Sequence, residues 1–444
     1  MISFARKTYS ELINSNFFKN LFVLTSGVGV SQLIPFFLLP ILTNENLFSI
    51  HFTPTDFGVF ALFMAVVQLL TIPMTLRLEM AVVLPKKDTD AALLCLMSFV
   101  ALFFFSCLLF IILLLCGASS IISISGEGAE LFSGIPWVIY LLPIGILMLG
   151  VYNILYSWNN RLELYNNMSY SHILHSAFST PASILFYFSF LKPIGLILGQ
   201  IIGRFFACFL LFTNLLKTIQ LVPRNNMYEQ CVLLVKEYKK FIIFETPQSV
   251  INFLSQKYII GVFTATACFG LSVVGIFDLA DKIIGKPLGI ISNSFKTVFY
   301  QRLTTAKNKL LIFKKSIFLI TCISFILIVP FYIIPESFYK FVLGDQWGDT
   351  GRYIQLICPL LFSRFIFNVV TPSISYTLKN HYLLIWQIIY FISLVVLFFF
   401  LIDSDSSVEQ SVEPILLLYA LFGAFMYAVL GCISFLVLKN NIKN

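Results

Sequence analysis

Nine ionisable side chains stand in stretches of this sequence that are otherwise apolar enough to enter a bilayer. They are Arg204, Lys257, Lys282, Lys286, Lys296 and Arg364, with Glu245, Asp278 and Asp281. A charge at mid-membrane costs about 2.5–3.5 kcal/mol even on the lenient insertion scale, so each must face a wet cavity, pair with another, or reach the membrane edge. Lys296, close to the inward end of its stretch, is expected to reach the edge. The rest recur at helical spacing. Glu245, Ser249, Asn252 and Gln256 fall three and four residues apart on one helical face, with Lys257 beside them. Asp278, Lys282, Lys286, Asn293 and Lys296 make a second stripe flanked by Gly285 and Gly289, and Asp278 and Lys282 are four apart, within reach of an ion pair. Arg364, Asn368 and Thr371 make a third stripe, and Thr25, Gly29 and Gln32 a fourth. Structural pairing between helices is the plain reading of such residues. The basic groups outnumber the acidic ones, however, and surplus positive charge in a cavity is poor glue and a good anion site. A pyrophosphate or an acidic sugar is the natural guest.

The elements that must position these stripes are membrane helices. The chain has 444 residues, 59% hydrophobic and 11% charged, with mean hydropathy +0.91, whereas a soluble protein of this length carries about a quarter charged residues. Windows of about 20 apolar residues place twelve spans. They lie near 19–42, 55–77, 91–116, 136–157, 171–190, 193–216, 244–264, 270–295, 316–335, 353–378, 382–402 and 414–438. Spans three, eleven and twelve carry no comparable charge. Loop charge tests the partition. One side of the membrane collects 20 Lys and Arg, among them Arg6, Lys7, Arg77, Lys86, Lys87, Arg161, Arg224, Lys309, Lys314, Lys315 and Lys439, while the other collects Lys192, Lys340 and Arg352. That bias places both termini in the cytoplasm. The outward loops are acidic instead, with Glu127, Glu130, Asp405 and Glu409 among their residues.

The expected fold is therefore an all-α polytopic membrane protein of about twelve transmembrane helices in two pseudo-symmetric six-helix lobes. The lobes are 1–216 and 244–444, and 217–243 is a basic amphipathic linker on the cytoplasmic surface. Weak self-similarity supports two halves: Gly58-Val-Phe-Ala-Leu62 opens the second span and Gly275-Ile-Phe-Asp-Leu279 the eighth, and Ser31-Gln32 and Ser255-Gln256 precede them. Such repeats are a transporter habit, with the site where the halves meet.

Several chemistries have no support in the sequence. No outward loop is longer than about 20 residues, which leaves no room for a soluble catalytic domain, and the chain is read as a non-enzyme. The nine Cys lack CxxC spacing and read as apolar fillers. His172 and His175 have no evident third ligand, and no nucleotide-binding loop exists, so no metal and no cofactor is expected. The net charge of +8 sits in short loops and is no nucleic-acid footprint. Gly195, Gly199 and Gly203 repeat every four residues as a close-packing face.

An ordered set of short segments resembles the Wzx-type O-antigen flippases of the multidrug/oligosaccharidyl-lipid/polysaccharide exporter superfamily. It begins with Phe18-Lys-Asn20, Gln32-Leu-Ile-Pro35 and Pro40-Ile-Leu-Thr43. It continues through Phe52-Thr-Pro-Thr-Asp-Phe-Gly-Val-Phe60, Leu76-Arg-Leu-Glu79 with Leu84-Pro85, and Pro193-Ile-Gly-Leu-Ile-Leu-Gly-Gln200. Leu254-Ser-Gln256, Gly275-Ile-Phe-Asp-Leu-Ala-Asp-Lys282, Pro287, Leu343-Gly-Asp-Gln-Trp347 and Pro359 complete it. Lys282 falls where that family often has a basic residue, and Asp278 departs from its usual uncharged residue.

The resemblance implies two six-helix lobes around a central cavity. It also implies movement of an undecaprenyl-pyrophosphate-linked oligosaccharide, an O-antigen or capsule repeat unit, across the bacterial inner membrane. The implied partners are this lipid-linked substrate, membrane lipids, a polysaccharide polymerase and a chain-length regulator. Under that reading Arg204, Lys257, Lys282, Lys286 and Arg364 form a cationic wall. Gln32, Asn252, Gln256 and Asn368 bond sugar hydroxyls, and Glu245, Asp278 and Asp281 serve ion or proton coupling. The competing readings are a small-molecule or multidrug antiporter of the same superfamily, which calls for a net acidic cavity, and a membrane polymerase, which calls for a long outward loop. A lipid II flippase calls for two further spans.

Overall fold

A computed structural model of the chain describes residues 16–48, 51–124, 136–187, 192–219, 227–265, 269–305, 308–377, 379, 381–403 and 412–443. Arg6, Lys7, Arg224, Glu127, Glu130, Asp405 and Glu409, used above for topology, lie outside these residues. Among the described residues all regular structure is helical. In chain order the helices are α1 (Asn16–Thr43), α2 (Pro54–Met74), α3 (Leu78–Ala81), α4 (Asp88–Ile124), α5 (Leu142–Arg161), α6 (Tyr165–Tyr187), α7 (Lys192–Ile219), α8 (Met227–Lys240) and α9 (Thr246–Ala265). They continue as α10 (Gly270–Thr305), α11 (Lys309–Ile333), α12 (Glu336–Leu343), α13 (Thr350–Val370), α14 (Pro372–Tyr376), α15 (His381–Asp403) and α16 (Val412–Lys443). A π-helical turn, Phe241–Glu245, joins α8 to α9.

In nine stretches the described residues are long and apolar enough to cross a membrane, on α1, α2, α4, α5, α7, α11, α13, α15 and α16. The other three expected spans are the helices α6, α9 and α10. Each is 20 residues or longer, enough for a bilayer core at 1.5 Å per residue. Their polar stripes keep them from standing out by apolarity.

The chain divides into two compact units, one of Met1–Leu38 and Phe63–Val250, the other of Leu39–Leu62 and Ile251–Asn444. In the first unit α6 and α7 make the most extensive pairing, and small residues are the cause. A Cβ added at Gly199 would stand 2.1 Å from the Ser183 hydroxyl and 2.5 Å from the Ser179 carbonyl, and one at Gly203 would stand 2.5 Å from the His175 carbonyl. Serines of α6 and glycines of α7 let the two backbones approach, the usual device of membrane helix pairs.

In the second unit α13 is central, packing on α10, α11 and α16. The two glycines of the internal repeat meet there. A Cβ at Gly58 would stand 2.0 Å from the Leu271 carbonyl, and a Cβ at Gly275 1.9 Å from the Pro54 carbonyl. The starts of α2 and α10 thus cross reciprocally, each supplying the glycine the other needs, and this crossing anchors the helix that carries the main charged stripe.

Candidate functional site

The second unit gathers most of the predicted polar residues. Its α10 carries Asp278, Asp281, Lys282 and Lys286 within a little over two turns. Asp278 is buried and forms an ion pair with Lys282 one turn on. The same ammonium lies 4.5 Å from the centre of the Phe60 ring, a cation–π contact that holds the lysine against the start of α2. Asp281 turns the other way. Its Oδ2 lies 3.4 Å from the Lys257 amine of α9, and its Oδ1 lies 2.7 Å from where a Gly285 Cβ would stand. With glycine at 285 the carboxylate lies there without having to shift. Arg364 of α13 and Lys286 are its further electrostatic neighbours.

Next to these pairs is a cavity of about 440 Å³, within the range of small-ligand sites. Asn252, Gln256, Arg364 and Asn368 line it together, as the stripes on α9 and α13 predicted by spacing. Gly285 and Gly289 line it too, and a Cβ at Gly289 would meet nothing within 4 Å, so this glycine opens space. Lys296 also lies on the wall. It shares this face of α10 with Ser292 and Asn293.

The amides on the wall form a chain. Gln387 Nε2 and Gln256 Nε2 both donate to Asn252 Oδ1, at 3.3 and 3.2 Å. Gln387 Oε1 and Ser292 Oγ are buried without a protein partner, which is costly unless a guest hydroxyl completes them. Arg364 makes no ion pair within 4.0 Å among the described residues; its surroundings are Asp281 and the phenols of Tyr390, Tyr419 and Tyr427. Trp386 stacks on Tyr390 with centroids 5.3 Å apart and donates its indole N–H to the Met426 carbonyl at 2.9 Å. This aromatic backing fixes the wall behind the guanidinium. Counting Lys257, Lys282, Lys286, Lys296 and Arg364 against Asp278 and Asp281, the group carries a formal +3.

Trp386, Gln387 and Tyr427 escaped sequence reasoning. They belong to α15 and α16, spans that carry no mid-membrane charge, where Trp and Tyr read as interfacial belt residues. A lone Gln within a run as apolar as Leu384–Leu397 was the available signal.

Gln32, Arg204 and Glu245 belong to the first unit. Gln32 is half-buried on α1, and Glu245 ends the π-turn before α9. Arg204 on α7 lies in the electrostatic reach of Tyr152 and Cys208 and has no ion pair within 4.0 Å among the described residues. Tyr152 on α5 is the hub of a hydroxyl cluster: its OH lies 3.4 Å from both Ser171 Oγ and His172 Nδ1, and Tyr156 OH lies 3.4 Å from His172 Nε2. Outside the spans, Glu79 is buried on α3 and paired with Arg77 at 3.3 Å. Burial pushes its carboxyl above the ordinary range, against the opposing pull of Arg77. Arg77 also donates to Ser249 Oγ at 3.0 Å, from a left-handed backbone at φ 54°.

Helices of membrane length, polar groups turned inward around a cavity, and a division into two units define a multi-pass membrane protein of transporter architecture. Solved structures share the fold. An inward-facing multidrug resistance MATE family transporter of the MOP superfamily aligns at 13% identity over 95% of this chain and 95% of its own, with TM-score 0.66. A MATE protein in complex with MaL6 aligns at 12% identity over 96% and 97%, with TM-score 0.63. A MOP superfamily transporter from Pyrococcus furiosus, described as having a binding pocket of reverse polarity, aligns at 12% identity over 96% and 94%, with TM-score 0.55. No curated protein matches the sequence. The sequence pattern of the family described as polysaccharide biosynthesis protein matches residues 52–351, more than half of the chain, and the protein belongs to that family.

Proposed function

We propose that this protein is a flippase that moves an undecaprenyl-pyrophosphate-linked oligosaccharide, an O-antigen or capsule repeat unit, across the bacterial inner membrane by alternating access. The observation that carries the reading is the cavity of the second unit: Arg364, Lys296 and a chain of amides line about 440 Å³, with the Asp281–Lys257 and Asp278–Lys282 pairs and Lys286 close by, in a member of a polysaccharide biosynthesis family. Arg364 and Lys286 supply cation to a pyrophosphate or acidic sugar, since neither is held in an ion pair among the described residues. Lys257 and Lys282 are each muted by an aspartate until that aspartate takes a proton or an ion. Asn252, Gln256 and Asn368 bond sugar hydroxyls. Asp278, Asp281 and Glu245 serve the coupling, and Arg204 and Gln32 are the first unit's contribution to the cargo path. The multidrug antiporter reading calls for a cavity that attracts cations, whereas the charged residues that line this one, Lys296 and Arg364, are both basic and repel them.

Deleting the gene tests this. The expected result is loss of surface polysaccharide with the lipid-linked repeat unit accumulating inside the cell, restored by the wild-type gene. Lys286→Gln should lower export about tenfold at normal protein level, and Lys282→Gln, whose charge is already paired, by less than threefold. Unchanged surface glycan with altered drug tolerance in the deletion strain would move the protein to the antiporter class. Full export by the double variant would remove the cationic wall.

A further inference from the structure

The second unit has another recess of opposite character. A groove of about 660 Å³ runs between α11 and α16 over the back of α13. Phe313, Phe318, Phe367, Phe435 and Leu436 line it with small residues between them, and Lys314 is the charged residue among its lining. Its floor is the α13–α16 pair, whose other face lines the polar cavity. On α13, Phe367 faces the groove and Asn368 the polar cavity; on α16, Ala428 and Gly431 face the groove, Tyr427 and Leu430 the cavity. A Cβ at Gly431 would stand 2.1 Å from Phe367, so glycine there lets the ring seal the wall.

Two features indicate what fills the groove. First, α11 is a span of which only 17% of the apolar window is buried, so the groove opens toward hydrocarbon. Second, its Lys314 end lies where α11 begins and α16 finishes, and Lys309, Lys315 and Lys439 share that edge. An apolar trough that ends in ammonium groups fits a long-chain lipid with a phosphate head. From Phe313 to Thr321 it offers about 12 Å of contact along the helix, enough for part of a chain and not all of it.

We propose that this groove seats the apolar tail of the cargo's phosphorylated lipid carrier, with Lys314 against its phosphate. The proposal rests on the flippase reading and commits to the carrier over bulk phospholipid, because the groove backs directly onto the polar cavity. One amphiphile meets a surface of each kind on the two sides of the α13–α16 wall.

The test uses the full-length protein purified in detergent, with a synthetic polyprenyl diphosphate as probe and phosphatidylglycerol as competitor, read by native mass spectrometry. Cys432→Trp and Thr321→Trp fill the groove and are expected to reduce retention of the polyprenyl diphosphate about tenfold. Lys314→Glu should do the same, and Leu115→Trp, on the exposed face of α4 away from the groove, should leave it unchanged. Undiminished retention in properly folded Trp variants would overturn the proposal, as would equal displacement by phosphatidylglycerol, which would make the groove an ordinary bilayer contact. Should the Trp variants misfold, a photoreactive polyprenyl diphosphate on the wild-type protein decides: label on α11 and α16 supports the seat, and label confined to other helices contradicts it. Carrier binding here in a strain whose gene deletion accumulates no lipid-linked oligosaccharide would refute the flippase reading while leaving the lipid seat.

Discussion

In the first unit the intramembrane cation Arg204 lies in the electrostatic reach of Tyr152 and Cys208, and Tyr152 belongs to a hydroxyl and imidazole cluster with Ser171, His172 and Tyr156 next to the tight α6–α7 pairing. In the second, Arg364 shares its surroundings with Asp281, and the Asp281–Lys257 and Asp278–Lys282 pairs stand next to an open cavity. Glycines follow the same division. Gly199 brings two helices together, whereas Gly289 leaves space empty. One unit uses small and polar residues to close a helix pair; the other uses them to keep a wet, charged recess open. Spacing alone does not separate the two uses, because both give period-four stripes.

The contrast breaks first at Asp281. Removing its charge by Asp281→Asn leaves Lys257, Lys286 and Arg364 without their shared carboxylate. A loss of about 3 kcal/mol is expected, the low end for breaking a buried pair because the cavity admits water. Thermal unfolding of the purified protein measures it, and Lys257→Gln in the same chain should restore part of the loss.

Glycine substitutions sharpen the comparison next. Gly199→Ala drives a methyl into Ser183 and Ser179 and should cost about 1–3 kcal/mol. Gly289→Ala meets open space and gains helix propensity, so it should be neutral or stabilising by about 0.5–1 kcal/mol. Gly289→Leu should fold normally and lower export, since it fills the cavity. Equal melting temperatures for the two alanine variants would contradict the division of roles.

A smaller effect separates the arginines. Arg204→Gln removes a desolvated charge that has no carboxylate partner among the described residues, and should raise thermal stability by about 1 kcal/mol. Arg364→Gln, which leaves Asp281 with one cation fewer, should not. A parallel loss of stability in both variants would mean that the hydroxyl cluster compensates Arg204 as fully as a carboxylate does.

The apolar frame was legible in the sequence because twenty-residue windows and loop charge are direct consequences of a bilayer. So were the stripes on α9, α10 and α13, since Asn252, Gln256, Arg364 and Asn368 reach one cavity. What the sequence hid was supplied by helices with no charge to announce them. Gln387, Trp386 and Tyr427 become site residues only because α15 and α16 close the cavity, and that is a tertiary fact. Lys296 joins the wall through the face it shares with Ser292 and Asn293. The strained turn at Leu76 and Arg77, both at φ 54°, is likewise invisible to residue type.

The smallest expected effect belongs to that turn. Burial raises the Glu79 carboxyl above its unfolded value. The folded protein therefore holds a proton that the unfolded chain releases, and stability falls as pH rises from the ordinary carboxyl range toward the raised one. Glu79→Gln should flatten this part of the profile of melting temperature against pH. An unchanged slope would show that Arg77 keeps the carboxylate ionised.

The most direct measurement is translocation in proteoliposomes that carry a lipid-linked oligosaccharide with an acidic repeat unit. Exposure of the glycan to an impermeant probe follows transfer between leaflets. Wild-type protein should transfer it, Arg364→Gln should transfer it about 10–100-fold more slowly through loss of a charge-assisted contact, and Gly289→Leu should be nearly inactive although folded. Equal rates for all three would contradict the assignment of the second unit's cavity as the cargo site.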